Sequence, residues 1–127
     1  ICRQRGHILV LAGNARMASQ WHADGYHQRS PKTHKLVHTA PVHNRRELAE
    51  ARRAGADAVL ISPLFPTASH PNAPALGLMA FNAIAQQAGG MAVIALGGMN
   101  QKKGRMLSPK RIDGWAAIDA FRQKCGD

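Results

Sequence analysis

Aromatic residues are few in this sequence: one Tyr, three Phe and two Trp in 127 residues, against 17 Lys and Arg, seven Asp and Glu, and a formal net charge of +10. Such a charge invites a nucleic-acid reading, because phosphate polyanions are held largely by Lys and Arg. Without aromatics interleaved among the basic residues there is no platform on which bases could stack, so nucleic-acid binding rests on net charge alone. Cysteine is equally scarce. Cys2 and Cys125 lie near the two ends without CxxC or Cys/His ligand spacing, which indicates neither a disulfide framework nor a zinc site. Long hydrophobic runs are missing as well. Ala56 to Ile61 and Met91 to Leu96 fall far short of the roughly 20 residues that cross a bilayer. No signal-peptide pattern opens the sequence, so no membrane association and a cytoplasmic location are expected.

With 45% hydrophobic residues and a mean hydropathy of -0.27, the composition suits one soluble domain with a real core. The basic residues are scattered: Arg45, Arg46, Arg52 and Arg53 on one expected helix, Lys102, Lys103 and Arg105 in an expected loop, and Lys110 with Arg111 before the last strand. They suit either solvated helix faces or a field that attracts small anionic substrates. The first residue is Ile1 rather than Met, and a strand-like run follows at once, so a fragment or a truncated product is expected.

Strand and helix signals alternate along the chain. His7 to Ala12 reads as a strand, and Asn14 caps a short helix through Trp21. Ala23 to His27 and Lys35 to Ala40 read as the second and third strands. Asn44 with Glu47 three residues on is a capping-box pattern, with Leu48, Ala51 and Ala54 along one face and Gly55 as the stop. Ala58 to Ser62 is the fourth strand, Met79 to Ala88 a helix closed by Gly89 and Gly90, and Met91 to Leu96 the fifth strand. Gly114 to Ile118 is a sixth, before an amphipathic terminal helix with Ala120 and Phe121 inward. This alternation without hairpin signals predicts an α/β fold with a parallel sheet of about six βα units. Two apolar runs, the one inside Ala56 to Leu78 and that of Met91 to Met99, end abruptly in small, polar or Gly/Pro residues. In such sheets the chemistry sits at these carboxyl ends.

The ordered set ADGYH (Ala23 to His27), VHNRRELAEARRAGADAVLISPLFPT (Val42 to Thr67), Leu76-Gly77, VIALGGM (Val93 to Met99) and DGWAAI (Asp113 to Ile118) resembles the thiamine phosphate synthase and TenI-type thiazole tautomerase family. The resemblance covers nearly the whole chain and implies a (β/α)8 TIM barrel, of which this sequence looks like units three to eight. Units one and two, including the Gln-x-Arg-x-Lys strand that grips a pyrimidine diphosphate in the synthases, have no counterpart here. Because six units cannot close an eight-stranded barrel, exposed sheet edges and self-association as a homo-oligomer are expected.

The residues that carry the resemblance also have a direct chemical reading. Gly97 and Gly98 lack a Cβ at the end of a buried strand, so their N–H groups either face a phosphate or form a plain tight turn. The resemblance favours the phosphate, which in barrels binds between the loops after strands seven and eight. Asp119 stands where the synthases place a phosphate-binding Ser, and a carboxylate there opposes phosphate unless it points away. The loop with Thr67, Ser69 and His70 keeps the hydroxyls of the synthases' Thr-x-Thr-Lys, with a titratable cation in place of a fixed one. His43 occupies the place of the tautomerases' proton-transfer histidine, its alternative being a packed histidine at a helix start. Pro41 replaces a synthase Ser.

The resemblance implies Mg²⁺ for a synthase, held by an Asn-Asp pair and a further Asp. The aligned residues are Ala12, Gly13 and Asn14, then Ser30, Pro31 and Lys32, none of them a carboxylate. No metal ligand is therefore assigned. Asp24 is read as ordering the start of its strand, and His27 as facing the pocket or serving the structure. Three functions are left open. The first is a thiamin-biosynthesis enzyme that binds a thiazole phosphate and either couples it to a pyrimidine diphosphate or isomerises it. The others are a non-catalytic phosphate-ligand binder and a basic nucleic-acid-binding domain.

Overall fold

The structure, a computed structural model, describes residues 1–32, 35–68, 71–107, 112–118 and 120. Six strands run in parallel in sequential order: β1 (Val10–Ala12), β2 (Gly25–His27), β3 (Val37–Val42), β4 (Ala58–Ile61), β5 (Ala92–Ala95) and β6 (Gly114–Trp115). Parallel neighbours need a crossover, and four helices lie in these links: α1 (Ala15–Gln20), α2 (Arg45–Arg53), α3 (Gly77–Ala85) and α4 (Gln101–Met106). The link from β2 to β3 carries no helix among its described residues, in keeping with the two successive strands read there. A 3₁₀ turn at Arg3–Arg5 precedes β1, where no preceding element was expected. The expected terminal helix, including Phe121, lies outside the described residues.

Three helices start by the same device. Asn14, Asn44 and Asn100 each accept a hydrogen bond through Oδ1 from the backbone N–H three residues on, Met17, Glu47 and Lys103, at 2.9 Å. This satisfies one of the orphan donors of a first helical turn and typically contributes about 1 kcal/mol. The Lys102, Lys103 and Arg105 segment, expected as loop, is helix α4 for this reason.

A second device repeats at the amino ends of the strands. Asp24, Asp57 and Asp113, just before β2, β4 and β6, each take the N–H of a residue in the neighbouring chain segment through Oδ2 at 2.8 Å: Leu9, His38 and Val93. Each aspartate returns its own N–H to the carbonyl of that same residue, at 2.8 to 2.9 Å. Asp24 thus orders a strand start, as its ADG context implies.

The sheet's outer face holds the core. Alternation turns Ala40 and Val42 of β3, Val59 and Ile61 of β4, and Val93 and Ala95 of β5 outward, where they form one buried cluster with Leu48 and Ala51 of α2 and Phe81, Ile84 and Ala85 of α3. Burying Leu48 and Ala51 on this layer explains why a helix rich in arginine forms: its four arginines stay exposed. A smaller cluster of Ala15, Ala18, Ala23 and Tyr26 joins α1 to β2.

Candidate functional site

The carboxyl ends of β3 to β6 enclose a cavity of about 270 Å³. Its wall includes His43 after β3, Ser62, Pro63 and Thr67 after β4, Gly97 and Gly98 after β5, and Ala117 and Ile118 after β6. Four of the six residues singled out in the sequence therefore meet in one place. The other two, Ser69 and His70, lie outside the described residues, as does Asp119.

The glycine pair is fixed by what it packs against. Gly97 and Gly98 have φ of 98° and 61°, values that side chains rarely adopt. A Cβ on Gly97 would stand 2.6 Å from Pro63 Cα, and one on Gly98 would run into the Pro66 carbonyl oxygen. Main-chain bonds lock the two loops together: Leu64 N–H to Leu96 O at 2.9 Å and Phe65 N–H to Gly97 O at 3.1 Å. The Leu76-Gly77 pair closes the longer loop on itself, donating to Pro63 O and Leu64 O at 2.8 and 3.1 Å. Among the described residues, no main-chain carbonyl takes the N–H groups of Gly97 or Gly98. Gly97 and Gly98 both belong to the cavity wall, and a pair of adjacent main-chain donors suits an anion.

Lys103 braces the turn from behind. Its Nζ donates to Gly98 O at 2.7 Å and sits 4.6 Å from the centre of the Phe65 ring. Sequence reasoning missed this residue because Lys102–Arg105 reads as a charged loop. The signal was Asn100, a third asparagine cap in the pattern of Asn14 and Asn44.

His43 is exposed and precedes the Asn44 cap of α2. Glu47 Oε2 accepts both the His43 backbone N–H at 2.7 Å and a hydrogen bond from ring Nδ1 at 2.8 Å, while Oε1 pairs with Arg29 Nη1 at 2.9 Å. The expected capping box is present, but its carboxylate reaches the residue before the cap. Burial alone would lift the Glu47 carboxyl. The hydrogen bonds from the His43 ring and backbone and from Arg29 outweigh it and hold the carboxyl below its ordinary value.

A second cavity, about 310 Å³, lies on the sheet's outer face beside the helix-less link from β2 to β3. Arg29, Ser30, Pro31, His38, Glu47 and Ala51 are among its walls. Lys32 ties this link down through Asp57, at 2.7 and 2.8 Å, and through its own N–H to Ala54 O at 2.7 Å. His38 is fully buried, stacks on Tyr26 with ring centres 4.7 Å apart and donates from Nε2 to Gln28 O at 2.8 Å. His27 does not line the cavity at the strand ends; its Nδ1 bonds Thr39 Oγ1 at 2.8 Å. Burial, followed by the charge of His38, holds its pKa below the ordinary value.

The Mg²⁺ implied for a synthase does not fit the described residues. Asn14 is committed to capping α1, Ser30 and Pro31 belong to the second cavity, and Lys32 is paired with Asp57. The described wall at the strand ends carries no carboxylate, and no three His, Cys, Asp or Glu among the described residues are grouped to hold a metal. Among the described residues no helix is long and apolar enough to cross a membrane.

Residues 1–121 match the family described as thiamine monophosphate synthase. The chain is similar to the thiamine-phosphate synthase of Chloroflexus aurantiacus, 30% identical over 131 residues that cover 94% of this chain and 60% of that protein. It is also similar to that of Bacillus velezensis, 24% identical over 133 residues, 97% of this chain and 59% of the relative. Among solved structures, a thiamine phosphate pyrophosphorylase from Pyrococcus furiosus superposes with a TM-score of 0.74 at 24% identity, covering 92% of this chain and 59% of the other. A structure described as native KDPGal gives 0.68 at 14% identity, over 100% of this chain and 65% of the other. At these identities the superpositions show the fold. The chain spans about three fifths of the length of these curated relatives.

Proposed function

The chain belongs to the thiamine monophosphate synthase family, and on that premise we propose that it acts in thiamin biosynthesis by holding a thiazole phosphate in the cavity at the ends of β3 to β6. In this reading the six strands correspond to strands three to eight of an eight-stranded barrel. The phosphate then sits on the N–H groups of Gly97 and Gly98, with the Thr67 hydroxyl beside it. One observation carries the reading: His43, Thr67, Gly97 and Gly98, drawn from three separate links, share one cavity wall.

The chemistry this wall supports is proton transfer. An imidazole near neutral pH can take a proton from the ring carbon of a thiazole tautomer and return one to the exocyclic carbon, which aromatises the ring without any redox partner. Coupling to a pyrimidine diphosphate has less support here, because no three His, Cys, Asp or Glu among the described residues are grouped to hold the cation that diphosphate chemistry usually uses. The same reading expects self-association, since among the described residues β1 and β6 each pair on one side only.

Two assays separate these activities. The protein should aromatise the carboxythiazole phosphate tautomer, with kcat falling at least about 100-fold in His43→Ala, the usual scale for losing a general acid-base group. An unchanged rate in that variant would remove His43 from the reaction. Formation of thiamin phosphate from hydroxymethylpyrimidine diphosphate, thiazole phosphate and Mg²⁺ would replace isomerisation with coupling.

A further inference from the structure

The His43 ring has two competing partners on the same nitrogen. Nδ1 lies 2.8 Å from Glu47 Oε2 and 3.0 Å from Arg29 Nη2, while Arg29 and Glu47 are themselves paired at 2.9 Å. A carboxylate only accepts and a guanidinium only donates, so the two partners demand opposite protonation of Nδ1. With Glu47 as its partner, Nδ1 carries the proton and Nε2 offers a lone pair. With Arg29 as its partner, Nδ1 accepts and Nε2 carries the proton. The ring's opposite nitrogen is therefore a base in one arrangement and an acid in the other.

Geometry decides which partner holds the ring. Glu47 is only 17% exposed, against 48% for the Arg29 side chain, and its Oε2 is anchored independently by the His43 backbone N–H at 2.7 Å. Its own backbone N–H is fixed by Asn44 Oδ1 at 2.9 Å. Arg29 comes from the link after β2, lines the second cavity together with Glu47, and holds Glu47 through Oε1. We propose that Glu47 is a positioning residue that sets the His43 tautomer with the proton on Nδ1, leaving Nε2 as the base, and that Arg29 supplies the opposite tautomer when Glu47 is removed. This extends the proton-transfer role proposed for His43 and names the groups that tune it.

The test reads the ring directly. Long-range ¹H–¹⁵N NMR of the intact protein, at a pH where His43 is neutral, should show the proton on Nδ1. In Glu47→Ala it should move predominantly to Nε2, and in Glu47→Ala with Arg29→Ala it should be shared between the nitrogens. Arg29→Ala alone should leave it on Nδ1. Glu47→Gln preserves an acceptor for the His43 backbone N–H and is the second variant if the alanine change unfolds the helix start. With its amide oxygen on that N–H, the shared position of Oε2 can no longer hold the ring as a carboxylate does, and the Nε2–H form should become detectable. A wild-type proton on Nε2, or a tautomer indifferent to Glu47→Ala, would overturn the proposal. In the tautomer assay, Glu47→Ala should lower kcat about 10-fold or more while KM moves less than about threefold, because the wrong tautomer is presented to bound substrate. If His43→Ala retains full activity while the NMR result holds, the catalytic reading fails and the tautomer assignment survives.

Discussion

The two cavities of this molecule sit beside two very different links. The one at the strand ends is walled by the Ser62 to Leu76 loop and the Gly97-Gly98 turn, which are bonded to each other through the main chain and close over a continuous core. The one on the outer face exists because the link from β2 to β3 brings no described helix to cover β3, and its rim is held by the Lys32–Asp57 ion pair between partly exposed side chains. Main-chain bonds and glycine contacts define a shape that side-chain motion cannot erase, which a positioned reaction requires. An ion pair at a surface defines much less. The Arg29–Glu47–His43 group stands where the two regions meet, with Arg29 and Glu47 on one side and His43 on the other.

The comparison breaks most sharply at Gly97. Gly97→Ala combines left-handed strain with a collision against Pro63, and should cost about 2 to 5 kcal/mol, the sum of a backbone term and an overpacking term. Gly6, at φ 68° with no atom within 4 Å of where a Cβ would stand, provides the control: Gly6→Ala should cost only the strain, about 1 to 2 kcal/mol. Urea midpoints that move equally in both variants would mean that the turn is not locked to the loop.

A smaller effect is expected on the other side. Burial alone would raise the Asp57 carboxyl, but Lys32 and the His38 N–H outweigh it and hold its pKa below the ordinary 3.8. A carboxyl depressed in the folded state stabilises above its unfolded pKa and loses that contribution as pH falls through the folded value. Asp57→Asn should therefore lower stability at pH 7 by about 1 kcal/mol, the scale of a partly exposed pair with one main-chain bond. The gap from wild type should narrow as pH falls below about 4. A gap that persists at low pH would assign the effect to packing instead.

The parallel order of strands was legible because apolar runs ending in Gly, Pro or Ser punctuate the chain at Ile61 and Leu96, and because Asn14 and Asn44 announce their helices. Asn100 announces its helix less plainly. Gly104 and three basic residues mask the helix behind it, and this glycine is there for packing: a Cβ would strike the Trp115 indole. The link from β2 to β3 was legible too: Ala23 to His27 and Lys35 to Ala40 read as successive strands with no helix between them, and none lies among the described residues of that link. Of the wall at the strand ends, the sequence singled out His43, Thr67 and the glycine pair but not their supports. Glu47 was visible only as a helix-cap residue, and its link to the His43 ring and to Arg29, in the connection after β2, is a product of the tertiary fold.

The proposed function places the ligand in the cavity at the ends of β3 to β6, and titrating ¹⁵N-labelled protein with thiazole phosphate tests that proposal most directly. Saturable amide shifts should centre on Gly97 and Gly98 and extend to Ser62 and Thr67. Shifts confined to Arg29, Ser30, Ala51 and Ala54 around the outer cavity, or no saturable shifts at all, would contradict it.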